Sequence, residues 1–463
     1  MSKERKRQLI IWLSLVGVLA VVAAAIVLFS FGRVRIVDWF PRDGDEVVPI
    51  TAPLRLAFSQ LMDPASVQAR FHIEPQVTGH FVWKENELTY QPESALAPGT
   101  MYTVTLQAGA ASQRGRRLDE ERVWHFQTRH PQLLYLGRPQ PDASARQLFA
   151  ASLDGTQPSQ LSDAPAGVWD YAVHPLGAEV VYSALREDGG SDLWRMDRDG
   201  ANQQLLLACP EAACLAPAWS PDGRTLAYER RNIWADAPNL DPQAGRIWVF
   251  DLDHDDTQPL FDYDIPLHSP VWAPRGERLA YLSPMLPGIE VYDMPTGELQ
   301  QFGNEWGTAP AWSLDGTQLV VPELMLAGEA LVVRLIHLAL PSEEAIDISG
   351  DDDYVKDTTP AWSPAGGWIA FGRQFLDQDR WTPGRQIWLI RPDGSEAYPL
   401  LVEPMGDHFA FAWRPDGAAL AYAFTDLSEG PQPLPAVSIW IFDLSRREPV
   451  HVADDGVLPR WLP

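Results

Sequence analysis

One seven-residue phrase recurs down most of this chain and constrains its fold more than any local feature. It stands as Pro217-Ala218-Trp219-Ser220-Pro221-Asp222-Gly223 and again as Pro270-Val271-Trp272-Ala273-Pro274-Arg275-Gly276. It returns at 310–316, 360–366 and 411–417. Val168-Trp169 with His174-Pro175-Leu176-Gly177 reads as a worn copy, and Pro459-Arg460-Trp461 as a truncated one. The tryptophans at 169, 219, 272, 312, 362, 413 and 461 lie 50, 53, 40, 50, 51 and 48 residues apart. Self-similarity at a period of tens of residues belongs to propeller blades and similar arrays.

Each repeat reads as four short strands. Ala218-Trp219 ends the first. Ser-Pro-Asp-Gly then has turn chemistry, because Pro presets φ and Gly accepts positive φ. The second strand is Leu226-Ala227-Tyr228 and the third is Ile247-Trp248-Val249-Phe250, rich in β-branched and aromatic residues. The fourth is expected near Pro259-Leu260. Similar third strands recur at 193–196, 387–390 and 439–442. No segment of the repeats shows capped helical periodicity, so the array is all-β.

The ends of the array fit ring closure. Leu134-Tyr135-Leu136, Gln147-Leu148-Phe149, a turn at Asp154-Gly155, and Gln160-Leu161 look like a blade without its first strand. Leu458-Pro459-Arg460-Trp461 looks like a first strand without its blade. Each would expose unpaired backbone unless it met the other. Joining them predicts seven blades over 132–463, with six as the runner-up if one repeat is degenerate. The pattern Pro-Ala-Trp-Ser-Pro-Asp-Gly-x-x-Leu-Ala-Tyr resembles the TolB-like propeller repeat. That resemblance speaks to fold, since such repeats serve scaffolds, receptors and regulatory lids of enzymes alike.

Residues 9–31 form an uncharged run of 23 residues. At about 1.5 Å per residue this spans a hydrocarbon core of about 30 Å. Lys3, Arg5, Lys6 and Arg7 precede it, against Arg33 and Arg35 after it. That bias predicts a single-pass transmembrane helix with residues 1–8 as a cytoplasmic tip and the bulk extracytoplasmic. A cleaved signal peptide is the alternative, but its apolar core is usually shorter, about 7–15 residues.

Residues 34–129 alternate short strands with turns. Phe58-Ser59 leads to Met62-Asp63-Pro64, read as a turn. Leu96-Ala97-Pro98-Gly99-Thr100-Met101-Tyr102 and Trp124-His125-Phe126-Gln127-Thr128 come later. About seven strands with frequent turns predict a β-sandwich. The motif order resembles the bacterial Ig-like module of the SbsA type. The resemblance implies a spacer or adhesion role and carries over no catalytic residue.

The net charge is −26, and a tip of four bases and one acid leaves −29 on the rest. So acidic a surface repels nucleic acid and anionic headgroups, so no nucleic-acid partner is expected. Cys209 and Cys214 are the only cysteines. Outside the cytoplasm a local disulfide is expected, with free thiols the alternative.

No Gly-x-Ser-x-Gly, His-Glu-x-x-His or phosphate-binding Gly-rich loop is present. No α/β segment of hydrolase size follows the repeats in this sequence, which argues against a ring that caps a peptidase. Asp251, Asp253 and Asp255 have alternate carboxylates of the kind calcium loops use, but Asp256 stands where the sharp-turn Gly belongs. A solvated turn is expected there, and a wet loop at Asp351-Asp352-Asp353. Residues just before each repeated Trp are expected to ring one mouth of the channel: His268, Trp306, Asp357 and His408. They are candidate ligand contacts; no metal or cofactor is expected. The reading that follows is a non-enzymatic, membrane-anchored binding or scaffold protein presenting a propeller to an envelope protein or glycan. The alternative is a metal-dependent polysaccharide lyase or hydrolase at the channel mouth.

Overall fold

The computed structural model describes residues 33–153, 157–233, 245–262, 265–284, 288–342, 344–428 and 436–463. The 9–31 run and the Asp154-Gly155 turn lie outside the described residues. Among those described, no helix is long and apolar enough to cross a membrane. The chain divides into two compact units, with Pro49–Thr51 and His130–Pro463 making up the second.

The first unit is a sandwich of two four-stranded sheets. One orders its strands Ile36–Phe40, Leu54–Phe58, Glu87–Pro92 and Gly79–Lys84. The other orders them Asp45–Val48, Arg122–Thr128, Met101–Leu106 and Phe71–Glu74. Alternation fixes the inner faces: Leu54, Leu56 and Phe58 are fully buried, as are Trp124 and Phe126. At Met62-Asp63-Pro64 the chain does more than turn. Asp63 caps a short helix, Pro64–Gln68, by accepting from the Ala65 amide at 3.2 Å, with Pro64 in its first turn.

In the second unit the described strands form seven groups of four. A representative group runs Ala212–Trp219, Thr225–Asn232, Gly245–Asp251 and Asp256–Pro259, each antiparallel to the last. The Ser-Pro-Asp-Gly corner is tied as its chemistry suggests. Ser220 Oγ donates to Asp222 Oδ1 at 2.6 Å, and Asp222 Oδ1 also accepts from the Arg224 amide at 3.0 Å. Ser313 and Asp315 repeat the hydroxyl-carboxylate bond at 2.6 Å. Gly316 closes that corner at φ 70°, and a Cβ there would meet the Arg275 carbonyl oxygen at 2.3 Å, so only Gly fits.

The repeated tryptophans join neighbouring groups. Trp272 Nε1 donates to Ala218 O at 3.1 Å, and Trp312 Nε1 to Val271 O at 3.2 Å. Trp413 Nε1 reaches Ala361 O and Trp461 Nε1 reaches Ala412 O, both at 2.9 Å. Each of these four indoles therefore buries its ring between two groups and satisfies a carbonyl of the preceding first strand.

The worn copy is corrected by register. His174 N bonds Glu179 O as Ser220 N bonds Thr225 O, so Val173 occupies the place of Trp219. Trp169 stands four residues earlier and is 59% exposed.

The first and last segments of the array meet. Val457–Leu462 pairs antiparallel with Gln132–Gly137, with Trp461 opposite Leu133 and Arg460 opposite Leu134. Gln147–Ala151 and Ser159–Gln160 complete the sheet. Trp461 packs on Leu133, Tyr135, Ile439 and Ile441. A bidentate latch holds the corner: Arg138 Nη2 donates to Asp455 Oδ1 at 2.8 Å and Nε to Oδ2 at 3.1 Å. Cys209 and Cys214 are buried and disulfide-bonded, with Cα atoms 6.2 Å apart.

Candidate functional site

The first strands of four successive groups, Val457–Leu462, Val168–Val173, Ala212–Trp219 and His268–Trp272, adjoin one another and wall a cavity of about 1030 Å³. Its wall is mostly Ala, Val, Leu, Pro and Trp. The charged side chains in it are Arg146, Asp170 and Arg460. Three Trp rings of the repeat (Trp219, Trp272 and Trp461) form part of the wall, with Trp169 beside them.

A shared backbone feature shapes this wall. Five of the first strands bulge three residues before the repeated Trp, where Ala216, Ser269, Thr359, Ala410 and Leu458 all adopt φ between 48° and 54°. A bulge adds one residue to one strand and reverses which face the preceding side chains occupy. In the second group that position is Asp170, whose Oδ2 accepts the Ala216 amide at 2.6 Å across the group boundary.

The other Asp170 oxygen, Oδ1, is buried with the Ser183 hydroxyl as its neighbouring polar side chain. Burial pushes the Asp170 carboxyl up, Glu229 adds to the rise, and Ser183, the Ala216 amide and Arg460 oppose it. Arg460 Nη1 donates to Tyr171 O at 2.6 Å, and its guanidinium sits 5.3 Å from the Tyr171 ring centre. Tyr171 in turn donates to Leu458 O at 2.6 Å. Arg146 Nη2 lies 3.9 Å from Asp455 Oδ1, while its Nε is buried with no partner.

None of the four residues expected at the channel mouth lines this cavity. His268 opens the strand His268–Trp272 and is half-buried. Trp306 is half-buried beneath Lys356, whose Nζ is 4.9 Å from its ring centre. Asp357 is fully buried and takes Arg373 Nε at 2.8 Å and Nη2 at 2.7 Å. His408 is fully buried between Tyr422 and Phe424, with Nδ1 2.8 Å from Arg385 O and Nε2 3.3 Å from Glu403 Oε2. All four precede their bulge or lie outside the strand, so counting back from Trp assigns them the wrong face. The structure does not bring them together around one opening.

Asp251 spends its oxygens locally, on the amides of Asp253 and His254 and on the His254 ring at 2.9 Å. Asp352 pairs with Arg373 and Arg380. Among the described residues, no group of three His, Cys, Asp or Glu is placed to hold a metal ion.

A sequence signal for the cavity existed in the repeat itself. The residue before each repeated Trp is Ala218, Val271, Ala311, Ala361 or Ala412, and only the last copy puts a large cation, Arg460, there. Asp170 likewise interrupts a position that otherwise holds Ala, Ser, Thr or Leu. Arg146 sits outside the motif, and nothing in the sequence singles it out.

A family model described as a bacterial Ig-like domain matches residues 32–128. The uncharacterized peptidase YuxL of Bacillus subtilis is 21% identical over 174 residues, which are 38% of this chain and 24% of that protein. The match thus spans about a quarter of the relative's length. A puromycin-hydrolysing peptidase of Mycobacterium tuberculosis superposes with TM-score 0.51 at 15% identity, over 89% of this chain and 56% of that one. TolB from Acinetobacter baumannii gives TM-score 0.43 at 11% identity, over 93% and 99% of the two chains. These peptidase likenesses correct the expectation of a chain without enzymatic work. Absent sequence signatures of hydrolases had carried that expectation, and a propeller shared with peptidases removes its force. The chain joins a bacterial Ig-like domain to an all-β array whose repeat resembles that of TolB-like propellers.

Proposed function

We propose that this protein is a membrane-anchored, extracytoplasmic component of hydrolytic chemistry, whose propeller holds the substrate in its channel. The observation that carries the reading is the cavity walled by the first strands, with an exposed Trp169 and a charged set confined to Arg146, Asp170 and Arg460. Apolar walls with a few convergent polar groups and a perturbed titratable residue are what substrate sites offer. We read the seven strand groups as seven blades of one ring closed by Val457–Leu462.

Residues 9–31 supply the anchor in this reading and the acidic surface faces away from the cytoplasm. The substrate is a segment of an envelope protein. Asp170 is the group available for proton transfer: a carboxyl whose pKa burial raises is a stronger proton acceptor once ionised. The disulfide-bonded Cys209–Cys214 loop suits an oxidising compartment.

The test is peptide cleavage by the purified full chain in detergent, read by mass spectrometry of new termini, with Asp170→Asn as the comparison. The reading expects cleavage that Asp170→Asn abolishes or slows by about 100-fold or more, the lower end of general-base contributions. No cleavage of any peptide, or cleavage indifferent to Asp170, would overturn it. Accessibility labelling of intact cells checks the topology, with the propeller expected on the outer side.

A further inference from the structure

We infer that the channel cavity recognises a free carboxylate at the C-terminal end of a peptide, held by Arg146 and Arg460 with Asp170 accepting the adjacent amide. This rests on the reading that the channel holds a peptide substrate and deepens it by naming the feature recognised.

Three observations lead there. The first is sign. In a chain of net charge −26, the cavity wall carries two arginines against one aspartate. A cationic recess in an acidic molecule is a local exception, and it favours an anionic group while the outer surface repels bulk polyanions.

The second is hydrogen-bond accounting. Arg146 Nε is buried without a partner, and Asp170 Oδ1 has only the neighbouring Ser183 hydroxyl beside it, leaving acceptor capacity on the carboxylate. An unmet buried donor or acceptor costs about 1–3 kcal/mol. A C-terminal residue offers chemistry that suits both kinds of group: an anion for a guanidinium and, one bond away from its Cα, an N–H for a carboxylate. Arg460 already anchors on Tyr171 O through Nη1, which fixes its guanidinium at the wall. A planar guanidinium with several N–H groups is suited to a carboxylate.

The third is the rest of the wall. Besides the charged trio, Ser144 and Ser269 are its polar side chains apart from the indoles. A sugar chain carries hydroxyls on most ring carbons and needs many side-chain partners. Ala, Val, Leu and Pro surfaces beside the exposed Trp169 instead fit apolar peptide side chains. These walls favour a peptide over a glycan.

The experiment uses the full chain in detergent and an N-terminally fluorescein-labelled Ala-Ala-Leu tripeptide, read by fluorescence anisotropy. Unlabelled free-acid tripeptide, its C-terminal carboxamide and a trigalacturonate compete for binding. The inference expects the free acid to compete at least about tenfold better than the carboxamide, the lower end for a hydrogen bond to a charged group. Arg146→Gln and Arg460→Gln should each weaken free-acid binding by about tenfold or more and abolish discrimination against the carboxamide. Two variants are used because Arg460 also bridges strands; Arg146→Gln stands if Arg460→Gln melts early. Equal competition by acid and carboxamide sinks the inference and leaves the channel reading intact. Displacement by trigalacturonate alone overturns the peptide claim in favour of an acidic glycan. Absence of binding by every probe sinks both.

Discussion

The indole bonds between strand groups make a quantitative prediction. Trp413 and Trp219 occupy the same place in their repeats and are 9% and 7% exposed. They differ in one respect. Trp413 Nε1 donates to Ala361 O at 2.9 Å, whereas Trp219 Nε1 is buried without a partner. Replacing either by Phe removes similar volume and leaves a similar cavity, so that cost cancels in the comparison. The Trp413→Phe change also forfeits a hydrogen bond and strands the Ala361 carbonyl, together costing about 1–2 kcal/mol. The Trp219→Phe change removes an unpaired buried N–H, which offsets part of its cavity cost. The difference between the variants is therefore about 1–3 kcal/mol in favour of Trp219→Phe. Unfolding entropy of about 2.1 cal/mol/K per residue over the second unit's roughly 330 residues gives about 0.7 kcal/mol/K. The melting temperatures should thus differ by about 1.5–4 °C, with Trp413→Phe the lower. Differential scanning calorimetry of the two variants reads this directly. Equal losses, or a larger loss for Trp219→Phe, would refute the claim that the indole bonds hold neighbouring groups together.

Three other outcomes are expected. Asp357→Ala leaves the buried Arg373 guanidinium without its bidentate partner and should cost about 3–5 kcal/mol, measured by urea denaturation. Partial burial alone would raise the Asp455 carboxyl, but the Arg138 hydrogen bonds and charge hold it below its ordinary value. Its stabilisation is therefore present above the unfolded-state pKa of about 3.9 and lost as pH falls through the lower folded value. The drop in melting temperature below pH about 4 should be shallower in Asp455→Asn than in the parent. Reducing the Cys209–Cys214 bridge opens a loop with sequence separation 5 and should cost about 2 kcal/mol in the chain-entropy account, seen as a lower melting temperature in dithiothreitol.

The sequence was most legible where periodicity and turn chemistry act together. Ser220-Pro221-Asp222-Gly223 announces its corner because Ser, Asp and Gly each perform a separate backbone task there. Val457–Leu462 could be matched to Gln132–Gly137 because each lacked what the other offered. Trp169 misled because a Trp near the right spacing was taken for the repeat's Trp, while the corner bonds at His174 place Val173 there. The placement of the expected ligand contacts depended on a feature the sequence does not display. Bulges with non-Gly residues such as Thr359 and Ala410 at positive φ leave no mark in composition, yet they turn Asp357 and His408 inward. Arg460 was visible as the large residue at a position otherwise Ala or Val, but its meaning appears only once the first strands are seen to share a wall.

The pairing of Val457–Leu462 with Gln132–Gly137 carries the account, and hydrogen exchange at the Leu133, Leu134 and Leu136 amides tests it most directly. The comparison is the full chain against one ending at Gly456. Removing that strand takes away Trp461 and Leu462, 7% and 0% exposed, each contributing about 2–3 kcal/mol of burial. The account predicts strong protection of these three amides in the full chain and, on truncation, its selective loss at those of them whose N–H faces the removed strand rather than Gln147–Ala151, together with an earlier melt. Unchanged protection and an unchanged melting temperature would contradict it.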